Sequence, residues 1–161
     1  MTIHKLLFIP VVCLIASLLS GCSSNTRAGI VAGVGWKDVK LGTSKEVVDA
    51  ALGAPWGVHD RADSFFADYK SKGIQVKFSK PGNQAQTIFF FNKEKEHEDF
   101  TPFEQSTALA AGWNSTPEDV LRIYGTPKED HTSDNGRKIV FEGIDFRFEN
   151  GKMVRIAVFD G

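Results

Sequence analysis

His59-Asp60 and Asp130-His131 are the residues most able to do chemistry, because the two histidines stand 72 positions apart, each just after a Gly-x-Pro (Gly53-Ala54-Pro55 and Gly125-Thr126-Pro127). Two imidazoles at equivalent positions of a duplicated chain could face one another as a metal site or a pH switch. Neither has a Cys or a carboxylate at ligand spacing, so duplication plus loop polarity accounts for them more simply. His97-Glu98 lacks the second histidine of a zincin helix and sits in a charged stretch. No Gly-x-Ser-x-Gly elbow supports Ser/His/Asp chemistry, and the carboxylates that could pair as acid and base all lie in solvated runs. Gly29, Gly33 and Gly35 match neither the dinucleotide fingerprint nor the phosphate-binding loop. The expectation is a non-enzyme with no catalytic residue, no metal and no cofactor.

Covalent chemistry of another kind is written at Cys22. His4 and Lys5 precede an apolar run from Leu6 to Leu19, the layout of a secretory signal and too short to span a membrane. The run ends in Leu19-Ser20-Gly21-Cys22, which resembles the bacterial lipobox. That resemblance implies removal of residues 1–21 as a lipoprotein signal peptide and acylation of Cys22. Each buried acyl CH₂ contributes about 0.8 kcal/mol, so two or more chains anchor a protein almost permanently. Similarity to lipoprotein sorting in Gram-negative bacteria adds that Ser23 and Ser24, with no Asp behind the cysteine, direct the protein to the outer membrane, facing the periplasm. Of the two cysteines, Cys13 leaves with the signal and Cys22 carries lipid, so no disulfide remains and the core must suffice. A net charge of −1 at pH 7 leaves no basic footprint for nucleic acid.

The elements that would position any site repeat. Thr43 to Pro55 is echoed by Ser115 to Pro127, each with a hydroxyl residue three positions before a glutamate (Glu46, Glu118), the spacing of a capping box. Gly53 and Gly125 suit a helix end, and Pro55 and Pro127 forbid continuation. In the first copy Val47, Val48, Ala51 and Leu52 make one apolar stripe. Three strands follow at Phe65 to Tyr69, Ile74 to Phe78 and Thr87 to Phe91. In the second copy they are Lys138 to Glu142, Ile144 to Glu149 and, after the hairpin signal Asn150-Gly151, Met153 to Phe159. The fold expected is α+β: two tandem helix-plus-antiparallel-three-strand repeats with helices packed on one face of the sheet or sheets. Its parts are the signal peptide 1–21, a tether and lead-in strand 22–35, repeat one 36–92, a charged linker 93–112 whose opening stretch to Asp99 reads as a solvated connection, and repeat two 113–161.

The run Leu41-Gly42-Thr43-Ser44-x-x-x-Val48 leading to Leu52-Gly53-x-Pro55 resembles the SmpA/OmlA family, the small lipoprotein of the outer-membrane β-barrel assembly machinery. The tandem duplication looks like the β-lactamase-inhibitor-protein fold, in which paired modules form a concave sheet for a partner. Both resemblances imply a protein-binding role.

Period-two alternation then sorts the strand faces. Ile74, Val76, Phe78, Ile88, Phe90, Ile144, Phe146, Phe148, Val154, Ile156 and Val158 should lie under the helices. The opposite, open face receives Phe89, Phe91, Met153 and Phe159 beside Lys77, Arg147 and Arg155. Aromatics ringed by Arg have the composition of interface hot spots. The simpler alternative is that Phe100 and Phe103 of the linker, or the lead-in strand, fold over them. The expected function is a non-catalytic outer-membrane lipoprotein that binds another envelope protein through this face, as an accessory of an assembly or secretion machine. The alternatives are a periplasmic inhibitor or immunity factor that blocks an enzyme, and a small-ligand carrier.

Overall fold

Both capped segments form two-turn helices, and both caps differ by one residue from the expected boxes. The computed structural model describes residues 29–161, so the signal peptide, Cys22 and most of the tether lie outside the described residues. Helix α1 spans Lys45–Leu52 and α2 spans Pro117–Tyr124. Proline is best placed at the first helical position, where its missing N–H is not needed, so Pro117 makes Thr116 the cap. Thr116 Oγ1 accepts from the Asp119 N–H at 3.2 Å, and Asp119 accepts from the Thr116 N–H at 3.1 Å, closing a box on Thr116/Asp119 and not on Ser115/Glu118. At α1 the cap is Ser44, whose side chain makes no capping bond. There the Lys45 N–H finds the Asn83 carbonyl at 3.0 Å, so backbone from a neighbouring turn replaces a cap side chain. Gly53 and Gly125 end the helices at φ of 89° and 82°.

The strands correct the expected architecture. A two-stranded hairpin, β1 (Gly35–Trp36) with β2 (Val39–Lys40), precedes α1. Eight further strands follow: β3 (Gly57–Asp60), β4 (Ser64–Tyr69), β5 (Ile74–Ser79), β6 (Ala85–Phe91), β7 (Glu129–Ser133), β8 (Gly136–Phe141), β9 (Ile144–Glu149) and β10 (Lys152–Phe159). They form one antiparallel sheet in the order β3-β4-β5-β6-β10-β9-β8-β7. The molecule is therefore not two helix-plus-three-strand repeats. Each helix is followed by four strands, and the last strand of each set, β6 and β10, pair from Arg155↔Phe91 to Phe159↔Thr87. The two unexpected strands are the sheet's edges. Gly57-Val58-His59-Asp60 and Glu129-Asp130-His131-Thr132-Ser133 are almost wholly exposed, so neither carries the alternation that reveals a half-buried strand. Charged edges of this kind also discourage sheet-to-sheet aggregation.

The helix side of the sheet is one core. Ile74, Val76, Phe78, Ile88, Phe90, Ile144, Phe146, Ile156 and Val158 are fully buried there with Val48 of α1 and Val120 of α2. Among the described residues register shifts twice, where β5 pairs with the start of β6 (Lys77↔Thr87, then Phe78↔Ala85) and, in β10, between Met153 and Arg155, where an extra residue changes the side-chain phase. Met153 consequently pairs with Phe148 and joins the core cluster, while Val154, buried as expected, occupies the bulge outside that cluster. The hairpin between β9 and β10 turns through Asn150 and Gly151, both at positive φ (51° and 75°), as Asn-Gly predicts.

The opening of the linker is solvated at Lys93, Lys95, Glu96, Glu98 and Asp99, but it does not merely connect. Glu94 is completely buried, a 3-10 turn spans Lys95–His97, and Phe100 lies on Phe91 with ring centroids 4.9 Å apart. The chain then crosses to the helix side, where Phe103 packs on Phe90 and Trp36. It passes Gly73, at φ 67°, so closely that a Cβ there would run into the backbone of Thr101 and Phe103.

Candidate protein-binding face

Three cross-strand rows define the side of the sheet that carries no helix. The first is basic: His131, Lys138, Arg147 and Arg155 stand directly opposite one another on β7, β8, β9 and β10, and Phe91 of β6 completes the row. The second runs from Asp145 through Ala157, Phe89 and Gln75 to Asp68. The third joins Phe159, Thr87, Lys77, Phe66 and His59.

Like charges directly opposite on neighbouring strands repel. Arg147 and Arg155 are held together by Glu94, whose Oε1 lies 3.2 Å from Arg147 Nε and 3.4 Å from Arg155 Nη1, while its Oε2 meets His97 Nδ1 at 3.1 Å. The linker thus supplies the counter-ion of a row that two other strands create. Among the described residues, Asp145 is another of the three buried carboxylates (Asp68, Glu94, Asp145), with Lys138 Nζ at 3.3 Å and Arg155 Nη2 at 3.8 Å. Burial pushes its carboxyl above the usual carboxylate range, and Arg155 and Lys138 pull it partly back.

Beside this network the aromatics form a ladder. Phe89 stacks between Phe66 and Phe91, each at 6.3 Å, and the Arg155 guanidinium lies 5.5 Å from the Phe89 ring. Arg61 sits 5.9 Å from Phe66. At the far edge His59 Nε2 meets Asp68 Oδ2 at 2.8 Å, and Gln75 Nε2 donates to Asp68 Oδ1 at 2.7 Å, which leaves an oriented and half-exposed imidazole.

Of the expected face, Phe89, Phe159, Lys77, Arg147 and Arg155 are present and partly exposed. Two members are not available. Met153 is in the core through the bulge, and Phe91, 1% exposed, is covered by the linker residues His97 (4.2 Å) and Phe100. Glu94, Phe66 and Asp68 belong to the face without having been expected there. The alternation of β4 points Phe66 and Asp68 to this side, but nothing local marks Glu94 among the other charges of its segment. The two histidines do not form one site. His59 is on β3 and His131 on β7, the opposite edges, seven inter-strand steps of about 4.8 Å apart, and His131 Nε2 meets the exposed Glu129 at 3.3 Å.

No protein-family model and no curated protein matches this chain. Among solved structures it is similar to a DUF4309 family protein (YjgB) from Bacillus subtilis, with a TM-score of 0.52 and 14% identity over 80% of this chain and 88% of that one. It is also similar to part of an extracellular protein containing an SCP domain from Bacillus anthracis, with a TM-score of 0.50 and 14% identity over 74% of this chain. The match spans 44% of that second protein, less than half of its length. These likenesses show a shared fold. Neither structure bears the SmpA/OmlA or β-lactamase-inhibitor-protein description, so those resemblances rest on sequence motifs alone.

Proposed function

We propose that this chain is a non-catalytic lipoprotein of the outer membrane, anchored through Cys22, whose helix-free sheet face docks on another envelope protein. The observation that carries the reading is the ladder Phe66–Phe89 beside Arg155, partly exposed and running from β4 toward the central strands of an eight-stranded sheet. A flat aromatic surface with planar cations at its margin gains more from a protein partner than from water. Glu94 and its arginines hold this surface rigid before the partner arrives, which lowers the ordering cost of binding. The oriented His59–Asp68 pair is read as a polar contact of the same face, since Asp68 is its hydrogen-bond partner and no hydroxyl nucleophile bonds to it among the described residues.

The test is a photo-crosslinking amino acid placed at Phe89 and at Phe159 in growing cells. A discrete adduct at both sites, absent when the probe replaces Glu118 on α2, supports docking through this face. Adducts at Glu118 alone, or none at the sheet, would end the proposal.

A further inference from the structure

The helix side carries a surface feature that docking through the other face leaves unused. Among the described residues, the exposed large apolar side chains are Val31, Val34, Val47, Trp56, Val58 and Leu109, and none stands in the three rows of the helix-free face. Three of them gather at the root of the tether. Ile30 donates to Ser106 O at 3.0 Å and accepts from the Ala108 N–H at 2.8 Å, a parallel bridge with Thr107 that brings the turn carrying Leu109 next to the start of the lead-in, and the Val34 N–H returns to Val31 O at 3.1 Å. Leu109 is 59% exposed, Val34 43% and Val31 39%. Ile30, Val39 and Ala111 beneath them belong to the core cluster that includes Val48 and Val120, which puts this root on the helix side.

Six residues separate Cys22 from Gly29. Even fully extended, that stretch reaches only about 25 Å, at roughly 3.5 Å per residue. An acylated Cys22 therefore keeps this group within a short distance of the lipid surface. We propose that Val31, Val34 and Leu109 form a bilayer-contacting patch, so that the anchored protein lies with its helix side toward the membrane and its sheet face toward the periplasm. The inference rests on the lipid-anchor reading. Apolar side chains at this height enter the headgroup boundary of the bilayer, as the apolar face of an interfacial helix does. Lys37, in the turn between β1 and β2, is exposed beside Asp38, so the attraction is chiefly apolar, with little net charge. The orientation also explains a division of labour, since it leaves the Arg147–Arg155 row and the Phe66–Phe89 ladder facing away from lipid.

With Cys13 removed in the signal and Cys22 acylated, a cysteine introduced elsewhere is the single reactive thiol. Val34→Cys, Leu109→Cys and, on the sheet face, Thr87→Cys are each labelled with an environment-sensitive fluorophore. The acylated proteins are then reconstituted in vesicles of phosphatidylethanolamine and phosphatidylglycerol carrying a nitroxide at headgroup depth. The expected result is loss of most emission at positions 34 and 109 and none at 87. Equal quenching at all three, or quenching at 87 alone, overturns the orientation. The mass of the N-terminal peptide from the same preparation reads acylation independently. An acylated Cys22 with labels 34 and 109 unquenched overturns the patch and leaves the anchor standing, whereas an unmodified Cys22 removes both. All three positions are partly or fully exposed, so the substitutions spare the core.

Discussion

The two faces of the one sheet are built by different physics. Beneath the helices, Phe90, Phe146 and Ile156 are fully buried among other hydrocarbon groups, and any side chain of similar size and shape would serve. On the other face Phe89 is only partly covered, and its neighbours Arg155, Arg147, Glu94 and Asp145 are charges withdrawn from water. The first face is stabilised by area removed from water. The second is costly unless every charge meets a partner, and its partners come from segments as distant as Glu94 and Arg155. Docking is proposed for this second face, whose charges must be paired before its aromatics can be presented.

The sharpest contrast lies between two adjacent residues. Phe90→Ala opens a cavity in the core and should lower stability by about 3–5 kcal/mol, measured by urea unfolding. Next in size is Glu94→Gln, which strands Arg147 and Arg155 opposite one another. Breaking a buried ion pair by removing one partner costs about 3–5 kcal/mol, and the lower end is expected because both arginines retain some exposure. If Glu94→Gln changes the unfolding midpoint no more than an ordinary surface substitution, the claim that the linker organises this face is wrong. Phe89→Ala, one residue from Phe90, should cost only about 1 kcal/mol while abolishing the crosslink of the docking surface. A loss equal to that of Phe90→Ala would erase the distinction between the faces.

What could be read from the sequence follows the same division. Period two in Ile144-Asp145-Phe146-Arg147-Phe148 fixes both faces of β9, because one side is hydrocarbon and the other is charged. The helices were legible through Val48, Leu52 and the Gly-x-Pro ends, although the cap moved to Thr116 once Pro117 took the first helical position. The edge strands β3 and β7 were not legible. With water on both sides, His59 and His131 have no reason to alternate with hydrocarbon, and backbone pairing to a neighbour leaves no trace in side-chain type. The single sheet was hidden for a related reason. Pairing of β6 with β10 joins residues more than sixty positions apart, and strands that are apolar on one face can as well end two small sheets as join one. On the open face Lys77, Arg147 and Arg155 were placed by alternation. Met153 was lost to one bulged residue, and Glu94 is one carboxylate among several in a polar run, distinguished only by where the chain folds.

The smallest expected change, and the one gain, comes from Asp145→Asn. Burial raises the Asp145 carboxyl above its value in the unfolded chain, with Arg155 and Lys138 opposing part of that rise, so the folded state disfavours the ionised form. The sign follows from proton linkage. A group whose folded pKa is raised contributes fully below its unfolded value, near 3.9 for Asp, and that contribution is lost as the pH climbs through the folded pKa. At pH 7, well above the unfolded value, the wild type therefore bears a cost, in burying the ion or in taking up a proton, that asparagine, the neutral isostere, does not bear. Lys138 keeps about half its surface in water and Arg155 keeps Glu94, so neither cation is stranded by the change. The variant should unfold at a higher denaturant concentration than the wild type at pH 7, and the difference should shrink to nothing as the pH falls toward 4. An advantage that instead grows on acidification, or a loss at pH 7, would mean that Asp145 is a net stabilising counter-ion. The helix-free face would then be held by its charges as firmly as the other is by its hydrocarbon.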